Sequence, residues 1–269
     1  MARIIAVANQ KGGVAKTTTV ASLGVALAEL GQRVLLVDLD PQGCLTYSLG
    51  LDPETLELSV YEVLLGKVSI GMAIQKTADG PDILPATIEL SGGEAELLAR
   101  IGREHALRTA LDDVVDDYDI VLIDCPPSLS VLTINGLTAA GEVLIPLQCE
   151  ALSHRGVGQL LDTVDLVRRL SNPRLTVLGV LPTMFDGRTN HAREVLGDIS
   201  SRYRLPVLDP PIAKSIRFAE APSTGRSVMS SFRRVGGVQS YRVHAATIAG
   251  VPAAPDAGTG DPAAIAVAR

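Results

Sequence analysis

The sequence predicts a doubly wound α/β fold, with a mostly parallel sheet and helices on both faces. Three observations point there. Short, near-continuous apolar runs recur along the chain, helical patterns fall between them, and Gly or Pro marks the junctions. Arg3 to Ala8 (RIIAVA) reads as a buried strand, and Lys16 to Leu30 as an Ala/Leu-rich helix closed by Gly31. Arg33 to Asp38 (RVLLVD) and Asp119 to Asp124 (DIVLID) read as two more strands, and Glu142 to Pro146 and Leu175 to Leu181 as a further pair. Helices are expected over Glu94 to Val115, Ser130 to Ala140, Ser153 to Leu170 and Asn190 to Tyr203. Leu45 to Ile83 mixes short helical turns with loops, a pattern that suits a lid or a partner surface. The expected organisation is one domain over residues 1–250. From Val251 to Arg269 the chain is Ala, Pro and Gly with few large apolar residues, which predicts a disordered tail.

Composition narrows the function classes. The chain has 269 residues, 46% of them apolar, enough for a sizeable core. No apolar run approaches the roughly 20 residues that span a bilayer, and the N-terminus lacks a charged leader, apolar segment and cleavage site, so a cytoplasmic protein is expected. The three cysteines, Cys44, Cys125 and Cys149, form no CxxC pair and read as free thiols. The net charge of −6 argues, taken whole, against nucleic acid as a partner. The charge is uneven, however. Between Arg188 and Arg242 ten Lys or Arg stand against four acids, leaving this segment at +6 and the remainder at −12. A local anion-binding surface on an acidic protein has this form, and so do solvated helix faces.

The chemistry is carried by Lys11-Gly12-Gly13-Val14-Ala15-Lys16-Thr17-Thr18. A phosphate-binding loop of the form GxxxxGK[ST] follows a strand and opens a helix. Here Gln10 and Ala15 occupy the two glycine positions, yet the strand–loop–helix context is kept. Backbone N–H groups of such a loop and the helix N-terminus form an anion site. Lys16 would reach the β- and γ-phosphates, and Thr17 would ligate Mg²⁺. Two carboxylates follow strands: Asp40, in Asp38-Leu39-Asp40-Pro41-Gln42, and Asp124, which ends IVLID. Ligands bind outside the carboxyl ends of strands in open α/β sheets. A carboxylate there can orient a water for in-line attack, and a desolvated Asp needs a partner such as hydrated Mg²⁺. Asp38 reads equally as a strand-end cap.

With Lys11 included, the loop has the form KGGxxK[ST], and the sequence resembles the ParA/MinD family of P-loop ATPases. The resemblance covers roughly Arg3 to Ile248. It implies that Lys11 reaches across a dimer interface to the nucleotide of the other subunit, and that Asp40 lies in the first switch and Asp124 on the Walker B strand. Three later stretches, IPLQCE (Ile145–Glu150), LPTMFDGRTNHAREVL (Leu181–Leu196) and IRFAEAPSTGRSV (Ile216–Val228), are similar to chromosome- and plasmid-partitioning ParA ATPases. That resemblance implies ATP and Mg²⁺ as cofactors, an ATP-dependent homodimer, weak hydrolysis stimulated by a ParB-type partner, and nucleoid association. Arg188 and Arg217 match positions that contact DNA without sequence preference, and Ala213 and Ser215 match positions that border the adenine. Ala15, Cys44 and Ser215 depart from the residues usual in the family. A membrane-associated MinD-like regulator is the alternative; it would need a basic amphipathic C-terminal helix, which the Ala/Pro/Gly tail does not resemble. An iron–sulfur donor would need paired cysteines, and a small-molecule kinase leaves the basic segment unexplained.

Overall fold

The computed structural model describes residues 2–150, 153–188 and 190–252. In order, its elements are β1 (Arg3–Val7), α1 (Lys16–Glu29), β2 (Val34–Asp38), α2 (Cys44–Ser48), α3 (Val60–Leu64), α4 (Ile70–Ala73), β3 (Gln75–Lys76), β4 (Asp82–Leu84), α5 (Glu89–Leu98), α6 (Ala106–Leu111), β5 (Ile120–Asp124), α7 (Val131–Ala139), β6 (Glu142–Gln148), α8 (Ser153–Leu170), β7 (Thr176–Thr183), α9 (Asn190–Tyr203), α10 (Arg217–Glu220), α11 (Val228–Ser231) and α12 (Gly236–Ala249). The seven strands lie in the order β3-β4-β2-β5-β1-β6-β7. Only the short edge strand β3 is antiparallel to its neighbour.

The alternation of side chains along each strand divides the core in two. Ala6, Leu35, Val37, Val121 and Ile123 face one cluster, under α3, α7 and α8, while Ile5, Val7, Leu36 and Leu122 face the other, under α1 and α12. Both faces are therefore covered, which is why these strands are apolar throughout. Gly24 permits the close approach of α1, since a Cβ there would lie 2.6 Å from Leu36 Cδ2.

Three features differ from the sequence expectation. The helix expected over Glu94 to Val115 is broken: α5 ends at Leu98, Gly102 takes a left-handed φ of 69°, and a 3₁₀ turn over Arg103–His105 leads into α6. Asn135 on α7 supports the break, donating to Arg103 O at 2.8 Å and accepting from Leu107 N at 3.0 Å. The Leu45 to Ile83 stretch is more than a surface region, because it holds β3 and opens β4, which completes the sheet beside β2. At three residues, β4 is too short for a periodic signal, and it opens with Asp82, whose carboxylate takes Lys76 Nζ at 2.7 Å and Tyr118 OH at 2.8 Å. Finally, α12, which opens with Gly236-Gly237, is a helix outside those expected, and its Tyr241 is buried and bonded to Thr19 of α1 at 3.0 Å. The tail expected from Val251 lies, beyond Pro252, outside the described residues.

Candidate functional site

The site forms where β1, β2 and β5 end together. Val7 pairs in register with Asp124, and Asp124 with Asp38, so three strand ends meet at one edge. The loop after β1 is anchored through Asn9, whose Nδ2 donates to Pro146 O at 2.7 Å while its Oδ1 accepts from Lys11 N at 3.0 Å. Gly13 (φ 73°) and Ala15 (φ 64°) are both left-handed, and Thr183 Oγ1 donates to Val14 O at 2.9 Å. Residues 13–15 thus turn the chain sharply into α1, whose first turn carries no acidic residue and no side-chain cap. Its leading N–H groups and the loop amides form a concave anion-binding array. For Ala15 this backbone is strained, because its Cβ crowds the following carbonyl.

Lys16 is buried and donates to Lys11 O at 3.2 Å. Burial lowers its pKa, opposed by the charges of Asp124, Cys125 and Asp40. Asp124 is 1% exposed, and neither carboxylate oxygen has a hydrogen-bond partner among the described residues. Burial raises its pKa well above the carboxylate range, Asp38 adds to the rise, and Thr17 and Lys16 oppose it. An orphaned, desolvated carboxylate beside a threonine and a lysine is costly unless a cation joins it. Among the described residues no group of three or more His, Cys, Asp or Glu could hold a metal ion. Mg²⁺ requires no such cluster: it binds through one or two protein oxygens and takes its other ligands from water and phosphate.

Asp38 acts as a cap. It accepts from Thr46 N at 3.0 Å, Thr46 Oγ1 at 2.8 Å and Asp40 N at 3.1 Å, so it ties the loop after β2 to the strand end. Burial pushes its pKa up to about 6 despite these bonds. Asp40, one turn out, accepts from Gln42 N at 3.0 Å. Cys125 is a packed thiol: a Cβ on Gly136 would lie 2.8 Å from its Sγ.

Two cavities meet at this loop. One, of about 510 Å³, is lined by Gly12, Lys16, Thr17, Asp40 and Cys44 among others. The second, of about 410 Å³, is bounded by Met184, Ala213, Ser215 and Ile216. Gly13, Ala15, Thr18 and Phe218 border both. Ala213 and Ser215, some two hundred residues from the loop, are thus brought against it. Lys11 reaches neither cavity; its Nζ pairs with Glu150, just beyond β6. Arg188 and Arg217 also lie outside both, with Arg188 paired to Asp186 at 2.8 Å and Arg217 to Glu220 at 2.6 Å. Their segments run side by side, joined by a parallel bridge between Phe185 and Ala213 and by Phe185 N donating to Ile212 O at 2.9 Å.

A model of the AAA domain family matches residues 2–177. The sporulation initiation inhibitor protein Soj of Bacillus subtilis is 45% identical over 242 residues, covering 90% of this chain and 96% of Soj. The chromosome partitioning protein ParA of Caulobacter vibrioides is 44% identical, covering 89% of this chain and 91% of that protein. The chain belongs to the ParA family of P-loop ATPases. A crystal structure of a Mycobacterium smegmatis protein called cobyrinic acid a,c-diamide synthase, with bound ATP analog and magnesium, is 55% identical at a TM-score of 0.83, covering 93% of this chain and 95% of that one. As a member of the ParA family, the chain is an ATPase, and the family works on ATP with magnesium. Lys16, Thr17 and Asp124 stand out from local motifs, whereas Asn9, Thr183 and Phe218, which shape the loop and its cavities, do not. Phe218 was legible only as part of the IRFAEAPS stretch, and nothing local to Asn9 or Thr183 marks the long-range bonds they make.

Proposed function

We propose that this ParA-family ATPase partitions DNA: ATP joins two subunits, the dimer binds DNA without sequence preference, and a ParB-type partner stimulates slow hydrolysis that releases it. The observation that carries the catalytic part is the pair of buried Asp124 oxygens with no hydrogen-bond partner among the described residues, together with a cavity lined by Lys16, Thr17 and Asp40 that meets the one lined by Ala213 and Ser215. In this reading residues 1–250 form the ATPase unit. The amides of residues 12–18 cradle the phosphates, Lys16 neutralises charge on the β- and γ-phosphates, and Ala213 and Ser215 border the base. Thr17 and Asp124 hold Mg²⁺, directly and through water, with Asp40 near its shell. Mg²⁺ held by Thr17 and, through water, by Asp124 would offset the charge that develops on phosphoryl transfer. Asp40 orients the attacking water, and Lys11 reaches the other subunit's nucleotide.

The DNA surface rests on the bridge between Phe185 and Ala213. It sets the segments of Arg188 and Arg217 side by side within the +6 stretch, and both arginines are solvent-facing. Phosphate contacts by such residues give sequence-independent, salt-sensitive binding. The test is retention on DNA with and without ATP and Mg²⁺; retention is expected only with both, and retention indifferent to nucleotide refutes the reading.

A second reading is favoured by the 55% identity to the protein called cobyrinic acid a,c-diamide synthase. The same phosphate machinery would serve an enzyme that activates a carboxylate for amidation. ATP turnover with cobyrinic acid and glutamine separates the two: no amide product is expected, and product formation favours the synthase. A membrane role like that of MinD is tested by liposome co-sedimentation with ATP, where no binding is expected. No helix among the described residues is long and apolar enough to cross a membrane.

A further inference from the structure

Lys11 is held at both ends within its own subunit. Its carbonyl accepts from Lys16 Nζ at 3.2 Å, its N–H donates to Asn9 Oδ1 at 3.0 Å, and its Nζ forms an ion pair with Glu150. Glu150 is itself fixed in place. Its backbone N–H donates to Gln148 O at 2.9 Å and to Ser153 Oγ at 3.1 Å, and Ser153 Oγ donates to Gln148 O at 2.6 Å. Asn9 also reaches the same strand, through Pro146 O. Both partners of the ion pair are therefore referenced to the end of β6, one through the phosphate loop and one through the bonds among Gln148, Glu150 and Ser153.

We infer that Glu150 is a positioning residue that parks Lys11 in its own subunit and must release it before the lysine can serve a second copy of the chain. This rests on the proposed action of Lys11 across a dimer. While its Nζ is drawn against Glu150, Lys11 reaches neither cavity of its own subunit and is held back from a phosphate in another. Each dimer therefore loosens two such pairs, one per subunit. Both side chains are partly exposed, so each pair is weak and breaks readily. A triphosphate offers more negative charge than one carboxylate and outcompetes it, whereas an empty facing site offers nothing. Glu150 thus biases the chain modestly toward the monomer and ties release of Lys11 to nucleotide in the opposing subunit.

The test is a double-mutant cycle on the full chain, with dimer dissociation constants measured by sedimentation in a non-hydrolysable ATP analogue and Mg²⁺. Glu150→Gln is expected to tighten the dimer about two- to fivefold, leaving binding of a fluorescent ADP by the monomer unchanged. Glu150→Asp, which keeps the charge, is expected to stay nearer wild type. In a Lys11→Ala background Glu150→Gln is expected to do nothing, which a merely structural role would not produce. A dimer unchanged or weakened by Glu150→Gln, or an equal effect in both backgrounds, overturns the inference. A second readout stands apart from dimerisation: acylation of Lys11 by acetic anhydride, followed by mass spectrometry, is expected to rise in monomeric Glu150→Gln, and an unchanged rate refutes the parking contact. If wild type forms no dimer with the ATP analogue, the reading of Lys11 across a dimer fails and the gating role with it, while acylation still decides the ion pair.

Discussion

The strand-end site and the Arg188–Arg242 segment hold their charges in opposite ways. At the strand ends Asp124 and Lys16 are buried, the carboxylate has no hydrogen-bond partner among the described residues, and each pKa is pushed toward the neutral form by desolvation. In the basic segment Arg188 and Arg217 are exposed and paired within a few residues, with Asp186 and Glu220, while Arg242 is half-buried against Glu29 of α1. A buried unpaired charge costs folding free energy and so marks a place where a ligand completes the structure. An exposed paired charge costs little and contributes little; it becomes useful only by exchanging its partner for a phosphate. The first region implies its ligand from its own buried charges, whereas the second would gain affinity for an anionic partner only by adding many weak contacts.

The largest expected effect is at Lys16. Lys16→Ala should lower ATP hydrolysis by at least about 100-fold, because a charge stabiliser of the transition state is removed, as steady-state phosphate release will measure. Next, Asp124→Asn should stop Mg²⁺-dependent turnover while stabilising the nucleotide-free protein by about 1–3 kcal/mol. The sign follows from the raised pKa of Asp124. Stability from its protonated form is complete below the unfolded carboxylate range and is lost as pH rises, so the gain from Asn should be larger at pH 8 than at pH 5. Urea unfolding at the two pH values checks this, and a variant less stable than wild type at pH 8 would break the contrast between the regions. At the phosphate loop, Ala15→Gly should stabilise by about 1 kcal/mol, since glycine takes the left-handed backbone without strain; thermal unfolding without nucleotide reads it.

How much of this was legible in sequence depended on range. β1, β2 and β5 were legible because strands buried on both faces leave continuous apolar runs, and Lys16, Thr17 and Asp124 because each sits inside a local motif. The break before α6 was not, since the groups that support it come from Asn135, some thirty residues away. The strand β4 was hidden by its length and by Asp82, and α12 by its opening glycines. Within the site, Asn9, Thr183 and Phe218 act through contacts more than a hundred residues long, which no local pattern encodes. Ala213 and Ser215 were reached only through family resemblance, and their apposition to Gly13 and Ala15 gives that resemblance a geometric basis.

In the proposed cycle, nucleotide in the buried site governs a diffuse DNA surface far from it in sequence. DNA affinity across a salt series, with an ATP analogue and with ADP, separates that cycle from nucleotide-independent binding, using wild type and Arg217→Ala. Binding is expected only with the ATP analogue, falling steeply with salt, with a slope shallower by about one unit per removed phosphate contact in the variant and ATP hydrolysis in the absence of DNA unchanged. Equal affinity with the two nucleotides, or a slope that Arg217→Ala leaves untouched, would contradict it.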